Sequence, residues 1–582
     1  MDYSIYRELL SRFIRKVPED RRYVLRLRRE LDLISKFNFA NVFLKVRDIL
    51  DLSSGNTHII RGSASCSLIC YLLGISHVDP IKNNIRLARF MNDFRKDLPD
   101  IDIDLSHRVR NTLFCNIYEK WPGQVARISN KIKYRYKSAL REAIRRSGYK
   151  GRIPRNIMLS KMMPRRENEV INKAAKLMGK MRAYSLHCGG LIFFKDKVPP
   201  KLLIGRNQIK YDKNDVEEKG LLKIDLLSNR ALSQLIDLSD RPLADYPEKD
   251  DQIEDLFAKG DVIGLTFAES PTFIKASKAI KPKNIEELSV ALALIRPAAA
   301  SRGKKSSFLE NWLYNRSINQ IVFEDDAITK IIDFLGCSED EADHYRDGFA
   351  KGKSQAIREF MLKASGKPGW QTLASDLSQL RLYSFCKGHA INYAQLVWAL
   401  AYHKTRNPQH FWASAIANCQ SMYRTWVHVE EAKYAGCVIE PGKSGRPIVI
   451  KCDQSKQGYL FKPDPMVEYK AYGFWTERGY FPESYVDRSG NSVKFKGLIG
   501  SYKRHKGTTF LHVGTGIRTY HDVIIPTRLD IRGNDMIIGE GSSVKRYDHE
   551  VITVKKYKLV KYKKGTIETS DWIPTTNGKS FI

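Results

Sequence analysis

The run Asp100-Ile101-Asp102-Ile103-Asp104 constrains this chain more than any other stretch. Strict alternation of acid and β-branched residue fits an extended strand, where neighbouring side chains point to opposite faces. Asp100, Asp102 and Asp104 then share a face, about 6.5–7 Å between successive α-carbons. Ile101 and Ile103 bury the other face. Three carboxylates on one face repel unless a cation sits among them, and hard divalent ions, Mg²⁺ above all, suit oxygen ligands. The pattern fits a solvated acidic edge strand as well as a metal site.

Charge narrows the choice of partner. The chain has 98 Lys and Arg against 65 Asp and Glu, a net +33 over 582 residues. An excess that large points to a polyanion, most often nucleic acid. Between Arg127 and Arg166 there are 14 basic residues and one acid, Glu142. Nine cysteines without a CxxC pair argue against a zinc ribbon and against a secreted disulfide framework, and fit a reducing cytoplasm. The N-terminus lacks an apolar signal core. The longest apolar stretch, the 12 residues from Ala64 to Ile75, is too short to span a bilayer.

Along the chain, residues 3–52 read as helical, and HIIRGSASCSLICYLL reads as strand, turn and helix, with the helix opening at Ser63. The Arg61-Gly62-Ser63 turn offers backbone N–H groups to a phosphate, or is an ordinary Ser N-cap. Residues 124–182 read as helical and basic, residues 184–228 as β, and residues 246–419 as mostly helical. In GLLKIDLL, Asp225 lies inside an apolar strand, where an unpaired carboxylate is costly. A shared metal would satisfy it, and so would Lys223, two positions earlier on the same strand face. Carboxylates from two strands, a Gly-Ser turn and a basic arm together describe a two-metal nucleotidyl-transfer site.

Taken in order, these motifs resemble those of the C-family replicative DNA polymerases, the alpha subunit of bacterial DNA polymerase III. RGSASCSL, HVDPI and PDIDID are similar to that family's RGSxxxSL, DxDPL and PDxDxD. His187-Cys188-Gly189-Gly190 resembles its HAGG, and Asp225 sits in its G-L-x-K-x-D-x-L. Gly264 to Ser270 (GLTFAES) resembles GxFQxES, ALALIRPAAA resembles ALxRPGP, and Phe385 to Ala394 (FCKGHAINYA) resembles FxKSHAxxYA. EAKYAGCVIEPG resembles the stretch after the fingers. The match runs collinearly over roughly residues 22–445.

The resemblance implies an α+β fold: a polymerase-beta-like nucleotidyltransferase palm with helical thumb and fingers. The expected division is palm over 1–106 and 183–245, thumb over 107–182, fingers over 246–424 and a duplex-binding region over 425–490. It implies that Asp100, Asp102 and Asp225 are catalytic and hold two Mg²⁺ ions, with Asp104 accessory. Gly62 and Ser63 would cradle the triphosphate, Arg89, Lys223 and Arg296 would contact phosphates, and Lys387 and His389 would lie near the nucleotide. Arg127, Lys131, Lys133, Arg135, Lys137 and Arg141 would track the duplex backbone, as their local charge independently suggests. Departures from the motifs fall at Ala64, Cys66, Phe267, Ala298, Ala299, Cys386 and Gly388. The family's N-terminal PHP domain and a proofreading exonuclease are expected to be missing, an architecture that suggests a phage or other mobile replicon.

Beyond Val493, five short strands with glycine-containing turns predict an OB-like barrel over 491–582. Lysines including Lys556 and Lys558 interleave with tyrosines there, a pattern suited to single-stranded DNA or to a protected basic edge. Gln457 to Phe461 resembles a sliding-clamp peptide and reads equally as a strand. The expected function is template-directed addition of dNTPs to a primer 3′ end. The rivals are a template-independent or RNA-using nucleotidyltransferase and a non-catalytic nucleic-acid-binding remnant.

Overall fold

The computed structural model describes residues 3–53, 55, 57–94, 101–154, 157–295, 321–381, 385–418, 421–440, 449–452, 455–460, 484–505, 507–516, 519–529, 531, 535–546, 549–563 and 566–575. Asp100, Arg296 and Phe461 lie outside them.

A seven-stranded sheet organises the N-terminal half. Its strands are β1 (Ile59–Arg61), β2 (Ile101–Leu105), β3 (Val125–Lys133), β4 (Met181–Phe193), β5 (Leu203–Gly205), β6 (Gln208–Ile209) and β7 (Lys223–Ser228). They lie in the order β1-β2-β7-β4-β3-β6-β5. The β2–β7 pair, second and third in that order, is parallel, and β1 and β4 flank it antiparallel. Alternation decides which face is buried. Ile101, Ile103, Leu105, Ile224 and Leu226 enter one apolar core with Phe43, Ile49, Leu113 and Ile117, from the helices Ala40–Asp51 and His107–Lys120. The aspartates of β2 and β7 are left on the opposite face.

Both acid-bearing strands run straight into capped helices. Ser106 accepts from Val109 N–H and starts the helix after β2. Asn229 accepts from the amides of Ala231 and Leu232 and starts the helix Arg230–Leu238 after β7. The side-chain oxygen at each cap satisfies an amide that has no partner within its own helix.

The segment after residue 124 differs from its helical expectation. It opens with β3, which pairs antiparallel with β4 from Ser129↔Leu186 to Lys133↔Met181. The helices Tyr136–Arg146 and Glu167–Leu177 are inserted between these strands around their own small core of Leu140, Ile144 and Val170. Charge misled the reading: lysines and arginines alternating with Ile128, Ile132 and Tyr134 serve a half-exposed ribbon as well as a helix. The turn after β1 also differs. Gly62–Cys66 is a 3₁₀ turn, and the helix Leu68–Leu72 is capped by Ser67, not Ser63.

Residues 230–434 are helical among the described residues. The helix Lys387–Arg406 runs through their centre, with His389, Ala390, Ile391, Val397, Trp398 and Leu400 all buried. It packs against the helices Arg230–Leu238, Ile285–Leu294 and Pro408–Ala417. Helices between Glu324 and Ser378 form a satellite core of Ile328, Ile331, Tyr345, Phe349, Phe360 and Leu377.

Strands β8 (Val438–Glu440), β9 (Val449–Cys452) and β10 (Ser455–Leu460) form a small antiparallel sheet. Residues 457–460 of the clamp-like peptide lie in β10. Next come β11 (Tyr485–Ser489), β12 (Ser492–His505), β13 (Thr508–Gly516), β14 (Thr519–Ile525), β15 (Met536–Arg546) and β16 (His549–Lys563). One half of β12 pairs with β15 and the other with β13, which closes the ring β12-β13-β14-β16-β15. The β14–β16 pair is parallel and the other pairs are antiparallel. The result is a closed five-stranded barrel around Phe495, Ile499, Val513, Val523, Ile537 and Ile552. Among the described residues, no helix is long and apolar enough to cross a membrane.

Candidate active site

Four residues line up across the sheet by register alone. Arg61 on β1 pairs with Asp102 on β2, Asp102 with Asp225 on β7, and Asp225 with Gly190 on β4. Register partners on parallel strands share a face, so the two carboxylates project side by side from backbones about 4.8 Å apart. Asp225 Oδ2 accepts from Lys223 Nζ at 2.7 Å. Its Oδ1 is buried and accepts no hydrogen bond. His187 Nδ1 lies 3.7 Å from that oxygen, but Nδ1 already accepts the amide of Gly190 at 2.8 Å, so the proton of the neutral ring is on Nε2.

The HCGG segment shapes this edge. Between the pairs Arg127↔Leu191 and Ser129↔Leu186, β4 carries extra residues and bulges. The bulge brings its backbone onto β7: a Cβ at Gly189 would lie 2.5 Å from the Leu226 carbonyl oxygen. Arg110 and Arg127 hold it from outside. Arg127 Nη2 donates to the carbonyls of His187 and Cys188, and Arg110 Nη1 donates to that of Cys188.

Asp104 has a different environment from Asp102. It is fully buried and accepts from Arg61 Nη2 at 3.0 Å, Asn229 Nδ2 at 2.9 Å and Tyr393 O–H at 2.7 Å. With its oxygens engaged by three donors, it is a structural acid tying the sheet to the Lys387–Arg406 helix. Asn229 and Tyr393 were not singled out from sequence. Tyr393 stands inside the FCKGHAINYA motif, and Asn229 directly follows β7.

That helix also reaches the turn after β1. Gly62 N–H donates to His389 Nδ1 at 3.0 Å, and Asn392 Nδ2 donates to the Ile60 carbonyl. Ser63 lies on the same turn, half-buried. Rings of His389, Tyr393 and Phe267 follow one another at 4.6 and 4.7 Å between centroids. Phe267 stands at φ 76, a left-handed backbone that costs a non-glycine residue roughly 1–3 kcal/mol and is typical of functional sites.

The structure therefore brings together Gly62, Ser63, Asp102, Asp225, Lys223 and His389. Other candidates are engaged elsewhere. Arg89 is paired with Glu324. Lys387 Nζ lies 3.3 Å from Glu286 Oε1, and its amide donates to Asp325. Lys131 bridges Asp215 and Asp212, and Arg141 donates to the Pro154 carbonyl. Lys133, Arg135 and Lys137 are exposed. Lys556 pairs with Glu540, and both it and Lys558 lie over the Trp572 ring, at 4.6 and 5.3 Å.

Among the described residues, no group of three or more His, Cys, Asp or Glu side chains is close enough to hold a metal ion. Asp102 and Asp225 could supply two carboxylates of such a set, and the buried Asp225 Oδ1, which accepts no hydrogen bond, is an oxygen of the kind a hard cation takes.

The class of this chain, an acid-bearing sheet with helical insertions and a closed barrel, fits a polymerase, and comparison with known proteins supplies the family. The family model for the bacterial DNA polymerase III alpha NTPase domain matches residues 3–228, and that for the bacterial DNA polymerase III alpha subunit finger domain matches residues 228–365. The chain belongs to the bacterial DNA polymerase III alpha, or C-family, DNA polymerases. It is similar to proteins named error-prone DNA polymerase. The one from Anaeromyxobacter dehalogenans is 26% identical over 515 residues, covering 75% of this chain and 45% of the relative. The one from Mesorhizobium japonicum is 25% identical over 582 residues, covering 87% and 51%. The one from Bordetella parapertussis is 28% identical over 476 residues, covering 71% and 45%. The chain spans about half the length of these curated relatives.

Proposed function

We propose that this chain is a template-directed DNA polymerase that adds dNTPs to a primer 3′ end. The observation that carries the reading is the register pairing of Asp102 with Asp225 beside the Gly62 turn. With Asp100, these two acids would hold two Mg²⁺ ions, which supply an activated 3′-hydroxyl and a counter-charge for the leaving pyrophosphate. The protein's own part is placement. The β2–β7 pairing sets the spacing of the acids, and Lys223 holds Asp225 and offers a cation to a phosphate. The Gly62 amide, which donates to His389 Nδ1, is the backbone donor that would turn to a phosphate oxygen of the nucleotide.

The palm is then 1–106 and 183–245 joined by β3, which lies in the same sheet, and the helices inserted after it within 107–182 are a thumb, with Lys133, Arg135 and Lys137 at its base facing the duplex. The helices of 246–424 are fingers, with Arg296 among their phosphate contacts, and residues 425–490 touch the duplex beyond them. The barrel of 491–582 is OB-like: its ring order and its single parallel pair are those of an OB barrel, and its Lys556–Lys558–Trp572 patch suits single-stranded DNA. Of the clamp-like peptide Gln457–Phe461, Tyr459 and Leu460 pair with Ile450 and Val449 of β9, which favours the strand over the clamp reading.

The test is primer extension on a primed single-stranded template with Mg²⁺, dNTPs or NTPs. Asp102→Asn is expected to lower extension by at least about 10³-fold, the scale of losing several kcal/mol of charge stabilisation, while DNA binding is kept. Extension retained in the variant would overturn the site. Addition without a template, or with NTPs preferred, would overturn the substrate assignment.

A further inference from the structure

Cys66 and Cys386 are far apart in the chain, and their sulfurs lie 3.5 Å apart at the junction between the turn after β1 and the Lys387–Arg406 helix. Both are buried, Cys386 slightly open at 6% exposure. A hydrogen-bond chain runs through them: Cys66 S–H donates to Cys386 Sγ, and Cys386 S–H donates to the Gly62 carbonyl at 3.5 Å. Cys386 is also the N-cap of the twenty-residue helix, where the aligned peptide dipoles favour a thiolate. The two thiols differ accordingly. The bond it accepts from Cys66 holds Cys386 below the ordinary thiol range, and donating that bond pushes Cys66 up.

We propose that Cys66 and Cys386 are an oxidation site that closes to a disulfide and latches the turn to the helix. The reductant is the thiol pair and the oxidant a hydroperoxide. The Cys386 thiolate attacks a peroxide oxygen: an S–O bond forms, the O–O bond breaks, and the leaving oxygen takes a proton as water or alcohol. Cys66 sulfur then attacks Cys386 sulfur: the S–S bond forms, the S–O bond breaks, and water leaves with the Cys66 proton. Two electrons pass from the two thiols to one peroxide. The sulfurs need to move from 3.5 Å to about 2.05 Å, a shift that draws the turn and helix together.

The consequence follows from position, and it rests on the nucleotide reading of the Gly62 turn. Cys386 and His389 are on the same helix end, and His389 occupies the Gly62 amide. A covalent tie at Cys386 keeps His389 there and denies that amide to a phosphate. The class of modification is reversible thiol oxidation, and a small dithiol restores the open pair.

The test treats the full chain with hydrogen peroxide, denatures it in excess N-ethylmaleimide and digests it without reductant for peptide mass spectrometry. The expected result is a cross-linked peptide joining Cys66 and Cys386, removed by dithiothreitol. Primer extension of the oxidised chain is expected to slow at least tenfold and to recover with dithiothreitol, and Cys386→Ser to lose both the cross-link and the slowing. Recovery of both residues as maleimide adducts overturns the site. A cross-link with unchanged extension, or equal slowing of Cys386→Ser, overturns the latch. If even the reduced chain does not extend primers, the polymerase reading fails, and the peptide map still decides the disulfide.

Discussion

The amide of Gly62 donates to Nδ1 of His389, joining residues 327 apart in the chain. A donor that in many nucleotide sites meets a phosphate is here held by an imidazole. His389→Phe keeps a ring against Phe385 and Tyr393 but removes the acceptor. The freed amide is expected to lower the KM for dNTP roughly threefold, the worth of one modest hydrogen bond. Steady-state single-nucleotide incorporation measures it. An unchanged or higher KM would show that the amide is not a phosphate donor.

Gly189 has no room for a side chain. Its Cβ would lie 2.5 Å from the Leu226 carbonyl oxygen, which is backbone and cannot rotate away. Gly189→Ala is expected to push β4 from β7, costing about 1–3 kcal/mol of stability. Because Leu226 adjoins Asp225, extension should fall by at least tenfold even below the unfolding temperature. Thermal melting and extension at 20 °C, measured together, check both parts; full activity would place the acids beyond the reach of that strand shift.

Residues 131–137 carry both paired and exposed cations. Lys131 is spent on Asp215 and Asp212, whereas Lys133, Arg135 and Lys137 are exposed. Alanine at the last three together should weaken duplex binding and lower the log–log salt slope by roughly 2–3. Lys131→Ala should change the slope by less than about 0.5. Fluorescence anisotropy across a salt series distinguishes them, and equal slopes for the two variants would refute the partition.

Glu269 ties the loop between the helices Asp251–Lys259 and Pro271–Ile280 to the helix Thr425–Tyr434. Burial pushes its carboxyl up, but the His428 charge, hydrogen bonds from His428 Nε2 and Ser421 Oγ, and the Gly264 N–H outweigh it and hold the group below its ordinary value. A depressed carboxyl contributes stability that is fully present above the unfolded value, about 4.3, and is lost as pH falls through the folded one. Glu269→Gln should cost about 3 kcal/mol at pH 7, and its gap from the parent should hold above about pH 4.3 and narrow as the pH falls below it. Urea unfolding between pH 3.5 and 7 measures this; a gap independent of pH would show that charge plays no part.

The local patterns carried much of this protein in the sequence. Alternation placed Asp102 on a strand face opposite Ile101 and Ile103, and the same rule placed Lys223 beside Asp225, because a period of two needs only neighbouring residues. The five strands after Val493 were legible for the same reason, from turns and alternation. The ribbon within 124–182 was missed because its basic residues mask the alternation of Ile128 and Ile132. What pairs with what was decided only in three dimensions. Register between distant strands set Asp102 against Asp225, and packing of one long helix set His389 on Gly62, Tyr393 on Asp104 and Cys386 beside Cys66. Side-chain periodicity is a property of a few adjacent residues. Long-range pairing depends on how whole elements close their loops and fill a shared core, and no short stretch of sequence contains that sum.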